Sequence, residues 1–319
     1  MTTPLGTPPG TGSPPESAAP SSASSTDSSG STSASSGSTS AFDKLVYRSR
    51  ACQKATRAAA RAQQVVLERR AVDVTDAMAA RSCLVLAPHP DDETLGAGAT
   101  IARKRAVGTP VRVVVVADGR HANPSQVIDE VELARIRQEE AVASCAVLGV
   151  DADRLRFAGF EDGTLDRQVG AVASLLRAEL AEHRPAEVLV PSAIDGHPDH
   201  RALRSALRLA LTDTDTGAGP VVLEYPVWFW DAKAWLDRDA PAVRQVAQLL
   251  WRPLSATARL QPHAVRTEAY LEVKRAAFDR YRSQLTNLTG EPSWPVMDPA
   301  FLEQFFRPCE LFFAPPTGR

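Results

Sequence analysis

The chain has 319 residues, of which 44% are hydrophobic and 23% are charged, enough for one large α/β domain with attachments. Its formal net charge of -2 can be assigned to the first forty residues, which contain Glu16 and Asp27 but no Lys or Arg. The rest of the chain is balanced in charge, so no basic field indicates a nucleic-acid partner.

Cysteine usage and hydropathy predict a protein without disulfides or membrane spans. The four cysteines form no CxxC pair, and so few in a chain of this length do not suggest a disulfide framework. The N-terminus has neither the basic nor the apolar region of a secretory signal. No stretch reaches the roughly 18 apolar residues that a membrane helix needs. We therefore expect a cytoplasmic protein, and the sequence leaves its oligomeric state open.

The composition divides the chain into three parts. Residues 1–41 are Ser, Thr, Pro, Gly and Ala almost throughout, and such a segment buries too little apolar surface to offset its ordering entropy, so we expect a disordered tail. Residues 42–80 are rich in Ala, Arg, Gln and Leu, which favours a helical N-terminal extension with a basic, solvated face. Residues 81–319 are expected to form the main domain, with a core over 81–225 and an aromatic-rich C-terminal subdomain over 226–319.

Strand and helix patterns alternate through the core. Short apolar or β-branched runs predict strands at residues 83–88, 111–117, 155–158, 187–191 and 221–225. Longer segments between them predict helices at residues 94–107, 127–148, 166–183 and 199–211. This alternation predicts an α/β fold with a Rossmann-like, mostly parallel sheet and helices on both faces. Beyond the core we expect an irregular tryptophan-rich stretch over 229–262, a helix over 265–285 and a strand over 309–314.

Two polar clusters follow predicted strands. The first is LVLAPHPDDETLG, in which an apolar run meets His89, Asp91 and Asp92, and the second is GHPDH, which ends in His200. Unpaired charge beside a core costs several kcal/mol, on the order of what buried ions lose without partners. Because ligands bind at the carboxyl ends of parallel strands, the two clusters can meet in space.

The residue types in these clusters favour a metal. Imidazole nitrogen and carboxylate oxygen are common zinc ligands, and His89, Asp92 and His200 would supply three of them. Three protein ligands leave room for water and substrate, which is typical of a catalytic site. We therefore predict one Zn²⁺ per chain, or another divalent metal, that lowers the pKa of a bound water toward about 7 and polarises a carbonyl.

The remaining polar residues suggest catalytic roles. Asp91 can accept the proton of the attacking water as general base, and His197 can stabilise the oxyanion or protonate the leaving group, with Asp199 orienting it. Either motif alone could be a helix N-cap, but two such motifs at strand ends favour the metal site. The Gly96-Ala97-Gly98 run lacks the third glycine of a dinucleotide-binding loop.

The motifs PHPDDETLG and GHPDH resemble those of the zinc-dependent de-N-acetylases of the PIG-L/LmbE-like family, and the resemblance covers roughly residues 81–211. It implies hydrolysis of the N-acetyl group of N-acetylglucosamine conjugates. It also implies the ligand and catalytic roles given above, and it adds Arg137 and Asp162 as substrate-binding residues. The segment with Lys274 and Tyr281 resembles a recurring C-terminal part of bacterial members.

The expected function is therefore a metal-dependent hydrolase that removes an N-acetyl group from a small-molecule, N-acetylglucosamine-type sugar conjugate. Two alternatives stay open at this point. One is a metal-dependent deacylase of a different amide, and the other is a non-catalytic binding protein that kept the fold. The intact Asp91, His197 and His200 favour an enzyme over the second alternative.

Overall fold

A computed structural model describes residues 49–212, 219–236 and 240–315 of the chain. The expected tail over residues 1–41 lies outside this described part. The helices are α1 (Arg50–Arg70), α2 (Thr75–Ala79), α3 (Asp92–Ala106), α4 (Glu130–Val147), α5 (Val169–His183), α6 (Pro198–Thr212), α7 (Ala242–Arg259), α8 (Leu271–Phe278), α9 (Arg282–Leu285) and α10 (Pro299–Leu302). The strands are β1 (Val72–Asp73), β2 (Cys83–Ala87), β3 (Val111–Ala117), β4 (Leu155–Phe160), β5 (Glu187–Pro191), β6 (Val221–Tyr225), β7 (Pro262–Arg266) and β8 (Cys309–Phe313). Among the described helices, none is both long enough and apolar enough to cross a bilayer.

The strands form one eight-stranded sheet in the order β1-β7-β8-β6-β5-β2-β3-β4. All neighbouring pairs are parallel except those that β8 makes with β6 and β7. The predicted α/β fold with a mostly parallel sheet is confirmed. The five core strands were placed correctly because each is a short, mostly apolar or β-branched run between helical segments.

Helices cover both faces of the sheet. Successive residues of β2 alternate between the two cores, so that Val85 packs with one and Leu86 with the other. The first core also takes side chains from α3, α4 and α8, and the second takes them from α5 and α6. Both faces of the central strands are therefore buried, which explains why β2 and residues 188–191 of β5 are apolar without a polar alternation.

The chain reverses its direction of travel across the sheet between β2 and β5, which are neighbours. From β2 it moves outward through β3 to β4, and it then returns to β5 and continues to β6. Such a reversal opens a crevice at the carboxyl ends of the two central strands. The two polar clusters follow these strands, which places them on either side of that crevice.

The prediction of one helix over residues 265–285 is wrong. Residues up to Arg266 belong to β7, which pairs with β1 on one side and with β8 on the other, and the helical part is split into α8 and α9. The pairing of β7 with two strands overrides the helical propensity of its residues. The break between the helices holds Tyr281, whose hydroxyl donates a hydrogen bond to Glu93. The stretch over 229–262 is more regular than expected, because it contains α7.

Helix α1 packs onto the rest of the described chain rather than standing apart. Gln64 and Leu67 are buried, and Gln64 donates a hydrogen bond of 2.9 Å to the carbonyl of Gln304. Arg57 and Arg61 form ion pairs with Asp298 and with the nearby Glu303. Strands on both sides of residue 225 share one sheet, and the domain division proposed from the sequence stays a prediction.

The close packing of α3 against β6 explains why residue 96 is a glycine. A Cβ atom at this position of α3 would lie 2.1 Å from Cδ2 of Tyr225, so only glycine lets the helix approach β6 this closely. The Tyr225 hydroxyl in turn donates a hydrogen bond of 2.7 Å to the carbonyl of Leu86. The glycines after β2 therefore serve helix–sheet contact, in agreement with the weak case for a dinucleotide loop.

A buried ion pair ties the C-terminal part to α3. The ammonium of Lys274 donates to Glu310 at 2.8 Å and to the carbonyl of Leu95 at 2.7 Å. The Glu310 carboxylate also accepts hydrogen bonds of 2.8 Å from the backbone N–H groups of Ala99 and Thr100 within α3. Because α3 begins at Asp92, this network holds the helix that carries a predicted metal ligand.

We predict that Lys274→Met lowers the free energy of unfolding by about 3–5 kcal/mol, because it leaves the buried charge of Glu310 without its partner. Urea denaturation measures this change. The matched variant Lys54→Met removes an exposed lysine of α1 and is expected to stay within about 0.5 kcal/mol of the parent protein. Equal stability of the two variants would contradict the structural role of the ion pair.

Candidate metal centre and active site

The structure brings His89, Asp92 and His200 together at the carboxyl ends of β2 and β5. His89 lies in the turn after β2, Asp92 begins α3, and His200 lies in the first turn of α6. The Oδ2 atom of Asp92 is 3.3 Å from Nδ1 of His89 and 3.2 Å from Nε2 of His200. All three side chains are buried. Two turns that are far apart in sequence therefore converge on one point.

These three groups fit a metal ion. Ligand atoms bound tetrahedrally at about 2.0–2.2 Å lie roughly 3.3–3.6 Å apart, close to the separations from Asp92 to the two imidazoles. Nε2 of His200, like Nδ1 of the same ring, is buried and makes no hydrogen bond within the described residues, although buried polar atoms normally have a partner. An ion held between these atoms would satisfy that nitrogen. His89, His197 and His200 also place ligand atoms within 4.8 Å of one another.

The nitrogen of each imidazole that faces away from this point meets a carboxylate. Nε2 of His89 is 3.0 Å from Asp162 and 3.2 Å from Asp199. Nδ1 of His200 is 3.5 Å from Asp195. Carboxylates in this position fix the ring orientation and the tautomer of metal-binding histidines. Asp195 was not identified from the sequence, and its position one residue before the GHPDH motif was the only signal for it.

Asp199 has a different partner from the one expected. It was predicted to orient His197, but its carboxylate contacts His89 and accepts hydrogen bonds from the backbone N–H groups of Gly163 at 2.7 Å and Leu165 at 3.1 Å. Only the backbone of Asp199 contacts the His197 ring, because its N–H donates to Nδ1 at 3.2 Å. Asp199 lies in the first turn of α6, beside the loop of residue 163, and the N–H groups of this loop bind its carboxylate.

Asp91 sits beside the ligand cluster in an unusual backbone conformation. Its φ of 118° lies in the left-handed region, which residues other than glycine rarely adopt. Its N–H donates to Glu93 at 3.1 Å. Asp91 holds the N-cap position of α3, but among the described residues its side chain accepts no capping hydrogen bond. The alternative that this aspartate only caps a helix is therefore not supported.

Arg137 and Asp162 were expected to bind substrate, and both line the same cavity as Asp91. Arg137 is nevertheless buried, and it donates to Oδ2 of Asp91 at 2.8 Å and to the carbonyl of Pro90 at 2.5 Å. Asp162 contacts His89 and accepts a hydrogen bond of 3.2 Å from the N–H of His121. In this structure both residues support the site's own side chains.

Glu93 is a buried site residue that the sequence reasoning left without a role. Its carboxylate accepts hydrogen bonds from the Tyr281 hydroxyl, from the Thr94 hydroxyl at 2.5 Å and from the backbone N–H of Asp91. It therefore connects the strained backbone of Asp91 to the C-terminal part of the chain. Its place as the third acidic residue of the PDDE run was the sequence feature that could have identified Glu93 as part of the site.

Burial and charge shift the ionisation of the site. Burial raises the pKa of Asp91 to about 8, although the guanidinium of Arg137 opposes this shift. Burial alone would also raise the pKa of Asp92, but the imidazoles of His200 and His89 outweigh it and lower this pKa below its usual range. Burial, followed by the charge of the neighbouring imidazoles, lowers the pKa of His197 to about 4. The buried carboxylates draw positive charge into the site, and a divalent cation would supply it.

The site opens into a cavity of about 710 Å³. Residues of α1, among them Thr56 and Ala60, form part of its wall, together with Trp228 and Phe301. The rings of Trp228 and Phe301 stack at a centroid distance of 5.1 Å. Of the tryptophans in the stretch over 229–262, Trp230 and Trp235 are buried in the core, and Trp230 also lines the cavity. The aromatic stretch therefore supplies both core packing and a cavity wall.

Comparison of the sequence with known proteins finds one matching family. Residues 84–211 match the family model PIG-L, described as GlcNAc-PI de-N-acetylase. A probable N-acetyl-α-D-glucosaminyl L-malate deacetylase 2 of Bacillus cereus is 29% identical over 197 residues, which cover 60% of this chain and 86% of that protein. A diacetylchitobiose deacetylase of Thermococcus kodakarensis is 32% identical over 125 residues, which cover 38% of this chain and 45% of that protein. This chain therefore matches less than half of the second relative's length.

A solved structure supports the fold over a longer part of the chain. A conserved protein from Thermus thermophilus superposes with a TM-score of 0.52 at 24% identity, and the match covers 75% of this chain and 99% of that one. The predicted family resemblance is confirmed by the family model and by the names of the relatives. Residues 84–211 therefore match a PIG-L domain, and the likeness beyond them is one of fold.

Proposed function

We propose that the chain is a metal-dependent hydrolase that removes the N-acetyl group from an N-acetylglucosamine-type sugar conjugate. The observation that carries this proposal is the convergence of His89, Asp92 and His200 on one point in the floor of a cavity. Asp91, an acidic residue beside these groups, lines the same cavity. This arrangement suits hydrolysis at a carbonyl.

The substrate class follows from two further observations. The relatives from Bacillus cereus and Thermococcus kodakarensis are named deacetylases of N-acetylglucosamine conjugates. The cavity of about 710 Å³ lies within the range of roughly 300–1,000 Å³ that is usual for small-molecule sites. Both favour a sugar conjugate over a macromolecular substrate.

His89, Asp92 and His200 would hold the metal, and Zn²⁺ suits their nitrogen and oxygen donors, although another divalent metal could also bind them. When bound, the metal supplies Lewis acidity that lowers the pKa of water and polarises the amide carbonyl. Asp199 and Asp195 orient the two imidazoles through the nitrogens that face away from it.

Asp91 serves as the general base. Its burial raises its pKa, which makes the carboxylate a better proton acceptor than an exposed aspartate. Arg137 holds one carboxylate oxygen, and Glu93 holds the backbone N–H, so the side chain keeps one orientation. Asp91 takes the proton from the water that attacks the acetyl carbonyl, and this proton can then pass to the departing amine.

His197 stabilises the oxyanion that forms on the acetyl carbonyl. Its Nδ1 accepts the N–H of Asp199, so the neutral ring carries its proton on Nε2. That Nε2–H group can donate a hydrogen bond to the oxyanion, while the proton for the leaving nitrogen comes from Asp91. The C–N bond of the amide breaks, the water oxygen stays on the acyl carbon, and the products are acetate and a free amino sugar.

The proposal is tested by acetate release from a panel of N-acetylglucosamine conjugates and of amides without a sugar, with protein that has been stripped of metal and reloaded. Release from the sugar conjugates that depends on added Zn²⁺ supports it. Release only from the other amides would favour the second class of deacylase. No release from any substrate by the metal-loaded protein would favour a binding protein.

We predict that His200→Ala loses the bound metal, because the variant removes one of three ligands, and that it loses acetate release in parallel. Elemental analysis of the purified protein measures the metal content. The control is His183→Ala, which removes a histidine at the end of α5 and is expected to keep the metal. Full metal occupancy in His200→Ala would contradict the ligand assignment.

We predict that Asp91→Asn keeps the metal but lowers kcat by about 10²–10⁴-fold, the usual contribution of a general base. Asparagine has nearly the same shape and tolerates the left-handed conformation, so the backbone strain is not a complication. Metal analysis and acetate release are measured on the same sample. Loss of the metal in this variant would show that Asp91 is a ligand and would overturn the division of roles.

We predict that Arg137→Gln lowers kcat by about 10- to 100-fold with little change in KM, because a charge-assisted hydrogen bond to the base is worth roughly 1.5–3 kcal/mol. Steady-state kinetics with one sugar conjugate separates the two parameters. A large increase in KM with unchanged kcat would instead assign Arg137 to substrate binding, as the sequence suggested.

A further inference from the structure

Helix α7 turns an apolar face toward the solvent. Its exposed hydrophobic residues recur at the spacing of one helical face: Val243, Val246, Leu250, Trp251 and Leu254. Leu250, Trp251 and Leu254 are 66%, 68% and 65% exposed. Single exposed leucines are ordinary on protein surfaces, but a continuous stripe that includes a tryptophan marks an interaction surface.

The opposite face of α7, which packs against the protein, is more polar. Gln245 and Gln248 are buried there, and Gln245 donates a hydrogen bond of 2.9 Å to the carbonyl of Ala240. Gln63 of α1 donates to Thr257 at 3.0 Å and to the carbonyl of Pro253 at 3.2 Å. These hydrogen bonds help to attach the helix, and the apolar stripe stays exposed within the part of the chain that the structure describes.

The charges on the helix that bears this stripe are all positive, because α7 carries three arginines and no acidic residue. Helix α1 adds six Arg or Lys residues, of which Arg57 and Arg61 are paired with Asp298 and Glu303. Arg244 and Arg259 of α7 are exposed, and α7 contains no Asp or Glu. The whole chain has a net charge of -2, so the basic character is local to these helices.

The charge distribution distinguishes between two kinds of partner. A second copy related by a twofold axis would bring the same basic helix against itself, with no acidic residue on α7 to pair with. An anionic lipid surface offers phosphate groups to the arginines and an apolar layer to the stripe. Helices with Trp and Leu on one face and Arg on the other are typical of such interfaces.

We propose that α7 docks this protein on an anionic lipid surface. Leu250, Trp251 and Leu254 enter the boundary between headgroups and acyl chains, while Arg244 and Arg259 meet the phosphates. Helix α1, which packs against α7, also supplies part of the cavity wall. The cavity is therefore one helix away from the docking face. This proposal does not depend on the chemistry proposed for the cavity.

The test is sedimentation of the full chain with vesicles of phosphatidylcholine alone or mixed with phosphatidylglycerol. We expect binding to the anionic vesicles that weakens as salt is added. Leu250→Ser should weaken this binding about tenfold or more, because it removes a large apolar side chain from the interface. Arg244→Glu should weaken it about fivefold or more, since each basic residue at the surface contributes about that factor.

Two matched variants on α6 serve as controls. Leu209→Ser changes another exposed leucine, and Arg208→Glu changes another exposed arginine, and both should bind vesicles like the parent protein. Failure of the parent protein to bind anionic vesicles would overturn the proposal, as would equal weakening by the control variants. A stable oligomer that Leu250→Ser converts to a monomer, measured by light scattering, would assign the stripe to a second copy and would also overturn it.

Discussion

The structure depends on a concentration of buried negative charge at the reversal point of the sheet. Asp91, Asp92, Asp195 and Asp199 lie there with little exposure to water. Carboxylates in such a place are tolerated only with compensating cations or hydrogen-bond donors. Arg137 supplies one cation, two imidazoles and several backbone N–H groups supply donors, and a divalent metal would supply the rest. This need for compensating charge distinguishes the carboxylate cluster from the apolar cores on either side of the sheet.

Helix α3 connects this cluster of carboxylates to the sheet and to the C-terminal part of the chain. Its first residue, Asp92, faces the imidazoles, and Gly96 lets the helix lie directly against Tyr225. Glu310 and Lys274 hold its middle from the C-terminal part of the chain. Strand β8 and helix α8, which follow the family-matched segment, thus support the helix that carries Asp92, one of the three proposed metal ligands.

The parts outside the family-matched segment also shape what the site can reach. Helix α1 and the segment around Phe301 form walls of the cavity, and ion pairs such as Arg57–Asp298 connect them. These walls lie outside residues 84–211, whereas His89, Asp91 and Asp92, which also line the cavity, lie within that family-matched segment. The cluster of His and Asp residues therefore lies in the family-matched segment, while part of the cavity wall comes from outside it.

The sequence by itself determined the core strands, the two motifs and the residue types that could hold a metal. Those features are local: β-branched runs, helix boundaries, and His and Asp residues directly after a strand. The meeting of the motifs could also be anticipated, because parallel strands end at a common edge.

Only the tertiary structure decided which side chains pair. Asp199 contacts His89, a residue 110 positions away, and Arg137 holds Asp91 across 46 positions, so neither contact has a local signal. The segment over 265–285 has a composition that favours helix, but its first two residues pair with β8 in the sheet. Pairing between strands therefore outweighs the local helical propensity of these residues. The periodicity of α7 likewise predicts an amphipathic helix without saying which face is buried, since that depends on what packs against it.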